Sequence, residues 1–106
     1  MIFANVKDFK GGWMFGDFEP SIVRTTAFEV AHHYYKCGFQ STAHVHKVAT
    51  EYNYIVRGRV FVDDRELSDG DMFAYEPNEV SDVYFIEDTD LIIVKVPSLP
   101  TDKYEV

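Results

Sequence analysis

The sequence has one cysteine, few basic residues and no long hydrophobic run, and each scarcity excludes a class of protein. Cys37 is the only cysteine among 106 residues, so no disulfide can form within the chain. Ten lysines and arginines stand against 18 aspartates and glutamates, a net charge of −8. That charge argues against nucleic acid and against an anionic membrane as partners. The longest aliphatic run, residues 91–94, is far too short to span a bilayer.

Length and composition predict one compact domain. We expect a single domain over residues 1–106, with residues 1–20 as an N-terminal extension and residues 97–106 as a C-terminal tail. Residues 1–10 lack the apolar segment of a secretory signal, so a cytoplasmic location is the default expectation. Nine Phe, seven Tyr and one Trp predict that the core and any pocket are rich in aromatic side chains.

Short segments of β-branched and aromatic residues, separated by turn residues, run along the chain. No segment has a convincing helical period. This pattern is typical of a β-sandwich or barrel, so we expect an all-β fold. The predicted strands cover residues 21–25, 27–36, 42–45, 50–57, 59–62, 65–67, 71–75, 81–87 and 91–96.

Two histidines one residue apart, His44 and His46, are followed by Glu51, and the group lies between Gly38 and Gly58. On a strand, residues i and i+2 point to the same face, so the two imidazoles can bind one ion. Glu51 returns on the next strand, and a carboxylate inside a barrel needs a metal or hydrogen-bond partners. The three side chains therefore predict a transition-metal site, while the glycines mark the bends at the ends of the hairpin.

The spacing G-x(5)-H-x-H-x(4)-E-x(6)-G resembles the first motif of the cupin superfamily over its whole length. The resemblance implies a cupin-type double-stranded β-helix, which is a jelly-roll barrel, with a divalent transition metal (Mn, Fe, Ni or Zn) at the three side chains. If the chain is an enzyme, the resemblance implies a metal-dependent oxygenase, isomerase or lyase. It also implies a homodimer, because many small cupins are dimers. Neither catalytic residues nor a substrate follow from it, because cupins host many unrelated activities.

The second cupin motif is only partly present. Gly70 and Pro77 match it with one extra residue between them, whereas Glu79, Asp82 and Ile86 replace the family's glycine, histidine and asparagine. If the strand turns Asp82 inwards, this carboxylate takes the place of the family's third histidine. We then expect Asp82 to be a fourth metal ligand, to orient a ligating imidazole through a hydrogen bond, or to contact the substrate. A second oxygen ligand would favour manganese or iron over zinc or copper.

Four further residues are candidates for the lining of a pocket beside the metal. They are Tyr35, Asn53, Phe73 and Tyr84, three of them aromatic and one, Asn53, on the same strand face as Glu51. The expected ligand of this pocket is a small polar molecule.

Two other functions remain open at this stage. The segment HVHK, followed by the hairpin through RGRVFVDD, also resembles the ketoisomerase branch of the cupins. In those enzymes, histidines act as acid and base on a sugar nucleotide without a metal. The other alternative is a binding or sensor barrel that recognises a ligand without catalysing a reaction.

Overall fold

The protein, described here from a computed structural model of residues 1–106, is built from strands. Its only helical segments are two 3₁₀ turns, Val6–Asp8 and Lys10–Gly12, and neither has the length or apolar character needed to cross a bilayer. The predicted all-β fold is therefore confirmed. The eleven strands are β1 (Trp13–Gly16), β2 (Val23–Arg24), β3 (Glu29–Tyr35), β4 (His44–Val45), β5 (Thr50–Arg57), β6 (Arg59–Val62), β7 (Arg65–Ser68), β8 (Met72–Tyr75), β9 (Val83–Phe85), β10 (Thr89–Val96) and β11 (Tyr104–Glu105).

The strands form two layers that enclose the core. One layer is a six-stranded sheet in the order β2-β1-β3-β10-β5-β8. The other contains the three-stranded sheet β7-β6-β9 and the pair β11-β4. These two pieces are joined where His44 and Ser81 exchange backbone hydrogen bonds of 3.3 and 2.8 Å. The second layer therefore reads β7-β6-β9-β4-β11, and the two facing sheets make a jelly-roll barrel.

Alternation along the strands separates the interior of the barrel from its surface. In β5, Glu51, Asn53 and Ile55 are buried, whereas Tyr52 and Tyr54 between them are exposed. This is the period of two that a half-buried strand requires. Unlike Ile55, the first two side chains bring polar atoms into the interior. The apolar core consists of Ala31, Ile55, Val60, Val62, Tyr75, Val83, Phe85, Leu91 and Ile93.

Two strands were not predicted from the sequence. Residues 13–16, assigned to an N-terminal extension, form β1, which pairs with β3 and β2 inside the six-stranded sheet. Residues 104–105, assigned to the tail, form β11 at the edge of the second layer. Both strands are short, four and two residues, and β11 pairs with a strand about 60 positions earlier in the chain, so local pattern carries little information about them. The predicted bounds of β5 and β6 agree with the structure.

The predicted register of β9 is wrong by one residue. Val83 and Phe85 are only 6% and 2% exposed, whereas Tyr84 is 42% exposed and Asp82 also faces outwards. The cause is the neighbouring strand β6: Val83 pairs with Val62, and Phe85 pairs with the fully buried Val60. Because directly opposed residues share one face of a sheet, the core side of β6 determines the core side of β9.

Gly58 lies between β5 and β6, and only glycine fits there because of its backbone conformation and of the close approach of a neighbouring strand. Its φ is +126°, a value that side-chain-bearing residues rarely adopt. A Cβ atom there would lie 2.3 Å from Thr89 Oγ1 and 2.6 Å from Thr89 Cα. The turn that returns β5 into β6 thus packs directly against the start of β10.

Candidate metal centre

Three ligand-type side chains meet inside the barrel, as the sequence motif predicts. His44 lies on β4, His46 follows in the loop, and Glu51 lies on β5. One ligand atom from each lies within 4.8 Å of the others. His46 and Glu51 are buried and His44 is half-buried. These residues could hold a metal ion with three ligands on one side.

The hydrogen bonds of the two histidines leave the same ring nitrogen of each free for a metal. His44 Nδ1 lies 2.8 Å from the carbonyl oxygen of Thr42, and His46 Nδ1 bonds the carbonyl oxygen of Asp102. A carbonyl only accepts, so each Nδ1 carries the hydrogen and donates it. His44 Nε2 then presents a lone pair, whereas His46 Nε2 lies 3.1 Å from Glu51 Oε1 and presents its lone pair when no proton lies between them, the state in which imidazoles bind metals. The donor set therefore fits a divalent transition ion.

Glu51 is held by partners on both of its oxygens. Its Oε1 lies 3.1 Å from His46 Nε2, and its Oε2 accepts a 3.0 Å hydrogen bond from Asn53 Nδ2. Ligand atoms at about 2.1 Å from one ion and at right angles to each other are about 3.0 Å apart. The pair His46–Glu51 is therefore spaced so that either a shared proton or a shared metal ion satisfies both groups.

The pKa values of these groups follow from burial and from this bonding. The bond to Glu51 raises the pKa of His46, although burial opposes it. Burial by itself would raise the pKa of Glu51, but the bonds from His46 and Asn53 outweigh it and hold that pKa below its usual range. Burial lowers the pKa of His44. At neutral pH the centre thus offers an ionised carboxylate and at least one neutral imidazole, the forms that bind metals.

A cavity of about 430 Å³ opens beside the three side chains. Of the predicted lining residues, Tyr35 and Asn53 do line it. Phe73 and Tyr84 do not: they line a separate surface groove, where Phe73 packs partly against the core and Tyr84 is exposed. The misplacement of Tyr84 follows from the register of β9.

Asp82 lies outside the centre. It is exposed, its Oδ1 accepts a hydrogen bond from Gln40 Nε2, and it also lines the surface groove. The prediction that Asp82 either ligates the metal or orients a ligating imidazole therefore does not agree with its position. The inward-facing neighbours on this segment are Ser81 and Val83, and both line the cavity.

A row of charged side chains crosses the sheet at the level of the centre. Lys95 on β10 pairs in register with Glu29 on β3 and with Glu51 on β5. Lys95 Nζ lies 3.6 Å from Glu29 Oε1 and 4.9 Å from the centre of the Trp13 ring. Sequence reasoning missed Lys95, although a lysine within the apolar run of β10 was a usable signal. Lys10 and Lys103 also line the cavity.

His33 and Tyr35 form a hydrogen-bonded pair in the cavity wall that the sequence did not reveal. His33 Nδ1 lies 2.9 Å from the hydroxyl of Tyr35, and the Trp13 ring packs edge-on against the imidazole at 5.3 Å. Burial lowers the pKa of His33 and raises that of Tyr35. Both groups are therefore neutral at neutral pH, and together they can accept or donate a proton in the cavity.

Comparison with known proteins identifies the fold. Neither protein-family models nor curated protein sequences match the chain, but solved structures do. A protein with a double-stranded β-helix domain from Klebsiella pneumoniae matches 98% of this chain and 90% of its own, at 15% identity and a TM-score of 0.73. A cupin protein from Bacteroides fragilis matches over 68% and 67% of the two chains, at 22% identity and a TM-score of 0.59.

The chain has the cupin fold. KdgF from a Halomonas species is a further match, at 23% identity and a TM-score of 0.67 over 72% of this chain and 74% of that one. At these identities the likeness concerns the fold alone. Within this cupin barrel, His44, His46 and Glu51 are the residues that the fold brings together as possible metal ligands.

Proposed function

We propose that this chain is a metal-dependent cupin in which His44, His46 and Glu51 hold one divalent transition ion and the adjacent cavity binds a small polar molecule. The observation that carries the proposal is the convergence of three ligand atoms within 4.8 Å of one another. The bonding of both Nδ1 atoms to carbonyl oxygens supports it, because this bonding directs both Nε2 atoms to one ion.

Three protein ligands on one side of an ion leave coordination positions open for water or substrate, where the ion supplies Lewis-acid polarisation or activation of water or oxygen. The side chains around the cavity supply the rest. His33 and Tyr35 can take up or release a proton at Nδ1 or at the phenolic oxygen, since they share one hydrogen bond. The apolar walls, including Leu91 and Ile93, limit access of bulk water to the reacting groups.

The charge around the cavity favours an anionic ligand. Three lysines, Lys10, Lys95 and Lys103, and three glutamates, Glu19, Glu29 and Glu51, line this cavity, so a bound divalent ion would leave it with a net positive charge. We therefore propose a small organic anion, such as a carboxylate, that contacts the ion through one group and the lysines through another. A cavity of about 430 Å³ fits a molecule of this size.

Elemental analysis and thermal denaturation test the metal proposal. Purified protein is expected to carry up to one transition ion per chain, and added Mn, Fe, Co, Ni or Zn should raise its melting temperature, since an ion that binds only the folded state stabilises it. His46→Ala should abolish both effects. His32→Ala is the matched control, because His32 contacts Asp90 rather than the centre. Wild-type protein that is purified without metal, and whose melting temperature does not change with any of the five metals, would overturn the proposal.

The same assay separates the alternatives. Stabilisation by a sugar nucleotide in the presence of a chelator would favour the metal-free ketoisomerase, and ligand binding without turnover would favour a sensor barrel. Small carboxylic acids should stabilise the metal-loaded protein more than their neutral amides do. Equal shifts for acids and amides would contradict the anionic ligand and leave the metal site intact.

We also propose that the chain forms a homodimer through the outer face of the six-stranded sheet. Tyr52, Tyr54 and Met72 are 43%, 41% and 67% exposed on adjacent strands of that face, where Tyr54 pairs with Met72. Light scattering during gel filtration should give twice the chain mass of 12.3 kDa. Tyr54→Glu combined with Met72→Glu should give the monomer mass, whereas Phe61→Glu, on the other layer, should not. A monomeric wild type would contradict the proposal.

A further inference from the structure

One residue of the C-terminal tail, Asp102, holds the loop that connects the metal ligands. It is only 5% exposed, and its carboxylate accepts three consecutive backbone N–H groups. Lys47 N lies 2.8 Å from Oδ1, while Val48 N and Ala49 N lie 3.0 and 2.9 Å from Oδ2. These residues fill the space between His46 and strand β5, so Asp102 determines the path of the chain from one ligand to the next.

The backbone of the same residue holds a ligand directly. The carbonyl oxygen of Asp102 accepts the Nδ1 hydrogen of His46. That bond fixes the orientation of the imidazole and directs its Nε2 towards Glu51 and the proposed metal position. Asp102 thus acts on His46 twice, through the carbonyl on the ring and through the carboxylate on the loop that follows it.

The next residues of the tail hold the other histidine. Strand β11 pairs with β4, with Tyr104 opposite Val45 and Glu105 opposite His44. Lys47 Nζ lies 4.0 Å from the centre of the Tyr104 ring, so the loop is also held by a cation–π contact. Strand β4 is only two residues long and has Ser81 as its hydrogen-bonded neighbour on one side, so the tail supplies its neighbour on the other side.

We infer that residues 102–105 are a strap that positions both histidines for the metal, with Asp102 as its positioning residue. The inference rests on the proposed metal site and adds a part of the chain that the metal motif does not include. The strap and the ion hold the same two imidazoles. Metal binding and docking of the strap must therefore be linked, and each strengthens the other by the same factor.

Zinc titration of the full chain tests this positioning role. Asp102→Ala should weaken zinc binding roughly 10–100-fold, the usual effect of losing a group that orients a metal ligand. Asp102→Asn keeps one acceptor oxygen and should give a smaller loss, and it serves if the alanine variant does not fold. Asp69→Ala is the matched control: the Asp69 carboxylate accepts the Gly58 N–H at 2.7 Å, at the other end of the same hairpin. It should lower stability without changing zinc affinity.

Hydrogen exchange of the tail distinguishes a positioning role from a purely structural one, because only a positioning role makes the exchange rate of the tail amides depend on zinc. Zinc should slow exchange of the backbone amides of residues 102–106 in wild type, and the slowing should be smaller in Asp102→Asn. If wild type binds zinc but both Asp102 variants bind it equally well, or if zinc leaves tail exchange unchanged, the strap inference fails and the metal site stands. If wild type binds no zinc or other transition metal, the proposed function fails, and the inference fails with it.

Discussion

Glu51 and Lys95 face each other in register on β5 and β10, inside the barrel. Beyond Lys95, on β3, lies Glu29, which is 2% exposed and also accepts a 2.9 Å hydrogen bond from Ser98. One half-buried lysine therefore lies between two buried carboxylates. Of these two, Glu51 points its oxygens at His46 and Asn53, whereas Glu29 is occupied by Lys95 and Ser98. In this row the Glu51 carboxylate is placed to bind a metal, and the Glu29 carboxylate balances the charge of Lys95.

Glutamine at position 51 should remove most of the metal affinity. Glu51→Gln keeps the shape of the side chain but loses its negative charge, and we expect a loss of more than about 100-fold, above the effect of a supporting residue. Glu29→Gln removes a carboxylate of similar burial from the same row and should change the affinity by less than about tenfold. Competitive metal titration compares the two variants, and equal losses would contradict the assignment of Glu51 as a ligand.

Alanine at position 82 should leave metal binding unchanged. Asp82 is exposed and bonded to Gln40, so Asp82→Ala removes no group from the centre. For the same reason Asp82→His should not add an imidazole ligand or shift preference toward zinc or nickel. The titration used for Glu51 measures both variants. A loss of metal in Asp82→Ala comparable to that in His46→Ala would show that the carboxylate turns inwards in solution.

The register of β9 can be tested by stability. Phe85→Ala should lower the free energy of unfolding by about 3–5 kcal/mol, since it empties a large, fully buried site. Tyr84→Ala, one residue earlier on the outer face, should cost about 1 kcal/mol or less. Urea denaturation measures both values. A larger loss from Tyr84→Ala than from Phe85→Ala would mean that the strand has the opposite register.

Lower pH should weaken the fold through His33. Burial lowers the pKa of His33, so the unfolded chain takes up a proton more readily than the folded one. The stability from this group is present above the ordinary histidine pKa of about 6.5 and is lost as pH falls below it. With a chelator present, His33→Phe should lose less stability than wild type between pH 7.5 and 5.5. Equal losses in urea denaturation would contradict a depressed pKa.

The sequence predicted the fold and the meeting of His44, His46 and Glu51 because both depend on local pattern. Runs of β-branched and aromatic residues identified Thr50–Arg57 and Arg59–Val62 as strands, and the contrast between polar Glu51 and Asn53 and aromatic Tyr52 and Tyr54 separated the two faces of the first strand. The segment around Asp82 lacks that contrast, because Val83, Tyr84, Phe85 and Ile86 are all apolar or aromatic. Only the pairing of β9 with β6 chooses between the two registers, and that contact joins residues about 20 positions apart.

The supporting residues of the centre could not be predicted for a related reason. Asp102 lies in a polar tail with no periodic pattern, and its three backbone partners are more than 50 residues away in the chain. Every residue except proline has a backbone N–H group, so the residue types at positions 47–49 give no indication that a carboxylate binds there. Trp13 reaches the cavity because β1 joins β3, and His33 reaches it because β3 pairs with β10; neither pairing is visible before the sheet forms.

The walls of the cavity come from two kinds of segment of the chain: the strands of the barrel with their hairpin loop, and the flanking segments. The candidate metal ligands and much of the apolar wall belong to the barrel or to its hairpin loop, whereas Phe18, Pro20, Pro100 and Lys103 reach the cavity from segments outside the longer strands. Changes in these flanking segments can alter the size and charge of the molecule admitted without touching a metal ligand. The residues that would hold the ion and those that would select its ligand therefore lie in different segments, and the flanking segments can vary while the barrel keeps the candidate centre.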